Sequence, residues 1–199
     1  MFLAGRIESL SSINSLKDIL SSEGSCLISD KHLVLTADQW QTLNHETRKL
    51  EYKKISNENI DTPFSFNVSV VKFSKNDDVK NKIIYDVASS VQIRHFMTIL
   101  TGINHVVVSQ CECHFCEEGD FISIQWSKNK PKTYKYVMSL FLEGSYTGGE
   151  HVVCGPGKKE YVYSPKSGEI LISSCEFSHE VKPVMSGRRN LMLAFIETW

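Results

Sequence analysis

An excess of charge of one sign is missing from this chain: 22 Lys and Arg stand against 23 Asp and Glu, for a formal net charge of −1. A balance this even leaves no electrostatic footprint for tracking nucleic acid or adhering to an anionic membrane, so neither is expected as a partner. Long apolar runs are missing too. Nothing approaches the roughly 18 consecutive apolar residues of a membrane-spanning helix, and residues 1–9 lack the apolar centre of a secretory signal. The expectation is a soluble, cytoplasmic protein. There is no internal repeat and no low-complexity segment. The six cysteines, Cys26, Cys111, Cys113, Cys116, Cys154 and Cys175, are even in number. Without an export signal, however, a reducing cytosol keeps them as free thiols rather than a disulfide framework.

With 199 residues, the chain is expected to form one domain, residues 1–199, long enough to bury a sizeable core. Its two halves differ in texture. Residues 1–104 read as a mixed, largely helical support region. A short helix is expected at 15–20 and a better one at 37–50, started by Thr36 or Asp38, with the Ser-Ser-Glu-Gly stretch at 21–24 between them. The alternation Phe64, Phe66, Val68, Val70 predicts a strand over 64–73. A charged loop follows over 74–82, with Asn76-Asp77-Asp78 as its turn. Ile84, Val87, Val91, Phe96 and Ile99 or Leu100 recur with helical period over 83–100. This is expected to be the longest helix, and Gly102 is placed to end it.

From residue 105 the chain turns to short β-prone runs punctuated by Gly, Pro and Asn: 106–113, 121–126, 134–142, 151–153, 161–163, 169–173, 181–184 and 191–196. Eight such runs predict a barrel or a two-sheet jelly roll over residues 105–199. Packing the helical half on one of its sheets gives an α+β fold.

Within the β-rich half, a set of landmarks occurs in a fixed order: Gly119-Asp120-Phe121-Ile122, an apolar strand over 136–142, Gly148-Gly149-Glu150, a turn over 165–168, and His179-Glu180-Val181-Lys182-Pro183-Val184 running to Gly187-Arg188-Arg189. Over about 80 residues this order resembles the 2-oxoglutarate and Fe(II)-dependent dioxygenases of the prolyl 4-hydroxylase type. The resemblance implies a double-stranded β-helix (jelly roll, cupin-like) with the N-terminal helices packed on one sheet, and a pocket for iron and 2-oxoglutarate. On this resemblance His179 is the second imidazole of the metal centre and its catalytic residue. Arg189, ten residues on, is the group that grips a carboxylate of 2-oxoglutarate with a two-bond fork, and Arg188 is the reserve. Phe141 falls where many relatives carry a Tyr that touches the cosubstrate; it reads equally as a core aromatic.

The other half of the iron site is missing. In the family, one strand supplies His-x-Asp, and residues i and i+2 of a strand point the same way. Matching on Gly119-Asp120-Phe121 puts these positions at Gln125 and Ser127, whose amide and hydroxyl are neutral and weak donors for Fe(II). No other register repairs this, because none of the seven histidines is followed two residues later by Asp or Glu. The sequence therefore predicts a divergent dioxygenase-fold protein whose ordinary Fe(II) hydroxylation is lost. Its pocket then binds a small molecule or peptide in the barrel mouth, with 2-oxoglutarate as the implied cosubstrate. The alternatives are an active atypical oxygenase whose metal sits on His179, His151 and Gln125, or a metal-free enzyme using His179 or His151 as acid or base.

Other candidates carry blander readings beside the functional ones. Cys111, Cys113, His114 and Cys116 invite a zinc reading, but one cluster lacks the second ligand pair of a structural zinc site, and Cys111 and Cys113 share a strand face as small hydrophobes. His114 and Cys116 imitate His-x-Asp but precede the Gly119 landmark. Trp126 lies between the two vacated positions and is expected to face away from the interior. His32, His45 beside Glu46, His95 and His105 read as surface or core histidines. Gly148 and Gly149, like the Gly155 to Lys159 stretch, read as turns rather than phosphate cradles. Specificity is expected in loops such as residues 129–133 and in the N-terminal half.

Overall fold

The structure, a computed structural model, describes residues 2–57, 66–73, 79–123 and 133–198. Four α-helices fall among these: α1 (Phe2–Glu23), α2 (Ala37–Thr47), α3 (Val79–Ala88) and α4 (Val91–Thr101). The strands in the N-terminal half are β1 (Ser25–Ile28), β2 (Lys53–Asn57) and β3 (Phe66–Phe73). Those of the C-terminal half are β4 (Val106–Cys116), β5 (Phe121–Ile122), β6 (Tyr134–Phe141), β7 (Tyr146–Gly148), β8 (His151–Cys154), β9 (Glu160–Tyr163), β10 (Ile170–Ser174), β11 (Ser178–Val181), β12 (Val184–Gly187) and β13 (Arg189–Thr198).

Local chemistry explains most of the boundaries. Thr36 starts α2 with a reciprocal cap: its hydroxyl accepts from the Gln39 N–H at 3.2 Å, while the Gln39 side chain accepts from the Thr36 N–H at 2.9 Å. The single helix expected over 83–100 is two helices. Ser89 donates its hydroxyl back to the Tyr85 carbonyl, and Ser90 adopts an extended conformation (φ −60°, ψ 158°) as the first residue outside α4. Gly102 ends α4 at φ 71°, as its position predicted.

The longest helix among the described residues is instead α1, of which the sequence pattern revealed only 15–20. Its serines blur the apolar period, and tertiary burial of Ile13 and Leu20 does what periodicity does not show. Residues 79–82, expected as loop, begin α3. Phe64 and residues 74–78, with the Asn76-Asp77-Asp78 turn, lie outside the described residues. The expected strand 181–184 is broken at Lys182-Pro183 into β11, which pairs with β8, and β12, which pairs with β7. β1 and β2 were missed as strands; they pair with β10 and β3.

The main sheet runs β1-β10-β6-β13-β4-β3, with β2 also on β3. β3 then passes its partner role to β5, and the order continues β5-β11-β8-β9, so one antiparallel sheet curls into two facing layers. β12 and β7 form a separate ribbon. This is the double-stranded β-helix, with the helices packed on the outer face of the main sheet.

Strand alternation sorts the side chains into two compartments. Cys111, Cys113, Met138, Leu140, Met192 and Ala194 face the helices, where they pack with Leu43, Phe96, Met97 and Leu100. Val137, Phe141, Leu171, Leu191, Leu193 and Phe195 fill the interior between the layers. On β4 the parity is set by a bulge. Phe195 pairs with Gln110 and Ile196 with Val108, which leaves Ser109 as the extra residue. Val108 and Cys111 therefore both face the helices, while Gln110, Glu112, His114 and Cys116 face inward.

Candidate functional site

The inward-facing polar residues gather at one end of the interior. Arg189 opens β13 opposite Cys116 and has no solvent exposure. Its guanidinium carbon lies 5.0 Å from the Phe141 ring centroid and 6.0 Å from that of Tyr146. Behind it, Gly149 sits close: a Cβ there would lie 3.1 Å from Arg189 Cδ, a tight contact, and the residue's φ of 65° favours glycine. Nε, Nη1 and Nη2 find no hydrogen-bond acceptor among the described residues. Tyr146 and Cys116 feel the charge, which works against the upward push of burial on their acidities. Neither meets the geometry of a hydrogen-bond partner, and Tyr146 spends its hydroxyl on the Pro165 carbonyl. Arg188, one residue earlier, points out of the interior. It is exposed, 5.6 Å over Phe115 and 3.8 Å from Glu117, so it is removed from the cavity that Arg189 faces.

Opposite Arg189, the second layer brings two histidines together. His151 on β8 pairs with Val181 and His179 on β11 pairs with Val153, so the two imidazoles are diagonal neighbours on the same face. His151 Nε2 and His179 Nδ1 are 3.3 Å apart, with the rings perpendicular and their centroids separated by 5.6 Å. His179 Nε2 meets the Ser174 carbonyl at 3.1 Å. His151 Nδ1 is buried with no partner among the described residues. Burial pushes His151 well below its ordinary value, helped by His179 and by the Arg189 charge. Burial likewise lowers His179 to about 4, against the opposing effect of its bond to Ser174. Both imidazoles are neutral at neutral pH.

Between the layers lies a cavity of about 20 Å³, lined by His114, Ile122, His151, His179, Arg189 and Leu191 among others. That is room for about one water molecule. His114 brings a polar network that sequence reasoning missed. Its Nε2 is 3.0 Å from Glu112 Oε2, the Gln110 amide donates to Glu112 Oε1 at 2.8 Å, and the Tyr134 hydroxyl donates to Gln110 at 3.1 Å. Lys72 reaches Glu112 Oε1 from the adjacent strand at 3.2 Å. The signal was present as Gln110-x-Glu112-x-His114, three polar residues at period two in a strand whose other residues, Ser109 apart, are apolar or cysteine.

The other candidates separate. Cys111 and Cys113 face the helices while His114 and Cys116 face the interior, so the four do not form a zinc cluster. Cys26, Cys113, Cys116 and Cys154 are free thiols. Phe141 is both a core aromatic, 1 % exposed, and the ring beneath Arg189. His32, His45, His95 and His105 do not line the cavity. Gly148 and Gly149 take positive φ in the turn joining β7 to β8, and a Cβ on Gly148 would lie 2.5 Å from the Pro183 carbonyl. Gln125, Trp126, Ser127 and residues 129–132 lie outside the described residues.

The donor set accepts one of the two groups implied by the resemblance. A buried guanidinium with no acceptor among the described residues suits a carboxylate ligand. Fe(II) fits poorly, because no group of three His, Cys, Asp or Glu among the described residues is placed to hold a metal ion. An ion between His151 and His179 would have two neutral imidazoles and, among the described residues, no carboxylate to complete the group. It would also drive a proton onto His151 Nδ1, where none of the described residues accepts it.

No model of a known protein family matches the sequence, and no curated protein does. Solved structures share the fold. An oxidoreductase of the 2OG-Fe(II) oxygenase family from Burkholderia pseudomallei superposes with a TM-score of 0.81 at 15 % identity, covering 93 % of this chain and 90 % of that one. A prolyl-4-hydroxylase from Pseudomonas putida gives 0.67 at 16 %, covering 94 % and 99 %. The non-heme alpha ketoglutarate dependent epimerase SnoN from nogalamycin biosynthesis gives 0.73 at 10 %, covering 94 % and 81 %. The chain thus has the fold of the 2-oxoglutarate and Fe(II) oxygenases, prolyl 4-hydroxylases included, and at these identities the likeness is one of fold.

Proposed function

We propose that this chain is a divergent 2-oxoglutarate oxygenase-fold protein that binds 2-oxoglutarate or a related small carboxylate through Arg189, and that ordinary Fe(II) hydroxylation has been lost. The observation that carries the reading is the guanidinium of Arg189, fully buried with three nitrogens that find no acceptor among the described residues. An uncompensated charge in an apolar interior is strongly unfavourable, and a carboxylate offering two oxygens satisfies it with a bidentate fork. The loss of iron chemistry is supported by the neutral residues at Gln125 and Ser127 and by a pair of imidazoles that no carboxylate joins in a three-ligand group among the described residues. The water-sized cavity means that neighbouring side chains shift when a ligand enters, and Tyr146, half-buried at the edge, borders the guanidinium. The second reading, an atypical metal centre on His151 and His179, is favoured by their 3.3 Å approach, a separation suited to two ligands of one ion.

Calorimetric titration with 2-oxoglutarate in the presence of a chelator tests the proposal. Binding is expected for the parent and its loss for Arg189→Met. No succinate should form when Fe(II) is added. Stoichiometric retention of iron together with succinate formation would overturn the loss of iron chemistry in favour of the second reading. Restoring charged ligands by Gln125→His with Ser127→Asp is expected to create tight Fe(II) binding.

A further inference from the structure

We propose that the chain has a second ligand site, on the opposite face of the main sheet from Arg189, and that it takes a small aromatic carboxylate. The site is a cavity of about 400 Å³ between the C-terminal end of α2 and the ends of β4, β6 and β13. Strand alternation puts it there. Phe115 lies between His114 and Cys116, Arg188 and Asn190 flank Arg189, and Leu142 follows Phe141. The strand ends that present side chains to the inner chamber therefore present the alternate ones here, so the two spaces lie back to back with the sheet between them.

Hydrogen bonds hold the walls in place. Asn44 Oδ1 accepts from the Glu143 N–H at 2.8 Å while its Nδ2 donates to the Trp40 carbonyl at 2.9 Å. Asn190 Nδ2 donates to the Glu143 carbonyl at 2.9 Å, so the backbone of Glu143 is gripped from α2 on one side and from β13 on the other. The Thr47 carbonyl, at the negative end of α2, accepts from the Tyr52 hydroxyl at 3.1 Å and the Leu50 N–H at 3.4 Å. The helix end is thus met by donors of the protein and does not confront a ligand alone. A cavity formed in advance leaves little ordering for the ligand to impose.

Apolar area and exchangeable charge are what the walls offer. Leu50, Tyr52, Phe115 and Leu142 supply the area, with the Tyr52 and Phe115 rings 5.4 Å apart. The charge comes from Arg48 and Arg188 against Glu143, two guanidiniums to one carboxylate among the described residues of the lining. Arg48 pairs with Glu143, and Arg188 lies 5.6 Å over Phe115 and 3.8 Å from Glu117. Both arginines are about two-thirds exposed, at 66 % and 68 %, and ion pairs so exposed are weak, so either guanidinium can turn to a ligand. An aromatic carboxylate answers both features, its ring against Tyr52 and Phe115 and its two oxygens in a guanidinium fork. A single negative charge balances the lining, whereas a phosphate monoester, at about −2, exceeds it. The volume falls at the lower end of the roughly 300–1,000 Å³ of small-molecule pockets, which suits a ligand of one or two fused rings.

Titration of the isotope-labelled full-length chain with 2-naphthoate, followed by NMR, tests the site. Saturable shifts are expected for the Leu50 and Leu142 methyls and for the side-chain amides of Asn44 and Asn190, while the methyls of Leu193, which line the inner chamber, stay in place. Arg48→Gln and Arg188→Gln change exposed side chains and leave the fold intact. Each should weaken binding by about tenfold, the loss of one charge-assisted hydrogen bond. The neutral analogue 2-naphthalenemethanol should bind more weakly than 2-naphthoate by a similar factor. Absence of saturable shifts at millimolar 2-naphthoate, or shifts centred on Leu193, overturns the site. Equal binding of the neutral analogue, unchanged affinity in both arginine variants, or tighter binding of 2-naphthyl phosphate overturns the ligand class.

Discussion

The Arg189 guanidinium sits 5.0 Å from the centre of the Phe141 ring. The ring face attracts the cation, but such a contact is worth about 2 kcal/mol or somewhat more when desolvated, against several kcal/mol for removing an ion from water. Phe141 eases the burial of the charge without balancing it.

Arg189→Met should therefore stabilise the ligand-free protein, by about 1–3 kcal/mol, since replacing a buried charge by an apolar side chain of similar reach is often neutral or favourable. Saturating 2-oxoglutarate should raise the denaturant midpoint of the parent and leave the variant unchanged. A variant several kcal/mol weaker than the parent would show that the guanidinium is already paired.

The two imidazoles make stability depend on pH with a definite sign. Both are held neutral in the folded chain, whereas in the unfolded chain a histidine titrates near its ordinary 6.5. Between that value and about 4 the unfolded chain binds more protons, so stability is complete above pH 6.5 and declines as pH falls toward the folded value of His179. The share of His179 is on the order of 3 kcal/mol. Urea unfolding at intervals from pH 7.5 to pH 4.5, performed on the parent and on His151→Leu, should show a shallower decline in the variant; equal slopes would contradict the assignment.

Glu112 is the hub of the polar row on β4, receiving Gln110, His114 and Lys72. Glu112→Ala leaves buried groups with unmet needs and should destabilise by about 2–4 kcal/mol. Glu112→Gln keeps the shape and part of the hydrogen bonding, and should lose less. Chemical denaturation of the two variants separates a structural hub from a passive surface charge, for which both changes would be close to silent.

The second half of the fold was legible because its strands are short, apolar and punctuated, so 134–142 and 191–196 fall within a residue or a few of β6 and β13. The first half was less so. α1 has no clean period, the helix over 83–100 gave no hint of its break apart from two adjacent serines, and β1 and β2 are strands because partners exist for them elsewhere in the chain. In the site, His179, His151, Arg189 and Phe141 could be named from motif order, and the structure brings them to one place. Glu112 and the inward turn of His114 were hidden, because their face depends on the extra residue at Ser109, which periodicity alone does not reveal.

Ser109 is an odd step in an even rhythm. A strand without it would carry the same letters but trade its two allegiances: the cysteines that now lie under the helices would look into the chamber, and the acid and imidazole of Glu112 and His114 would be pressed into oil. The chamber's chemistry is thus written partly in a place that touches none of it, so a single deletion far from any reactive atom could rewrite what the chamber contains.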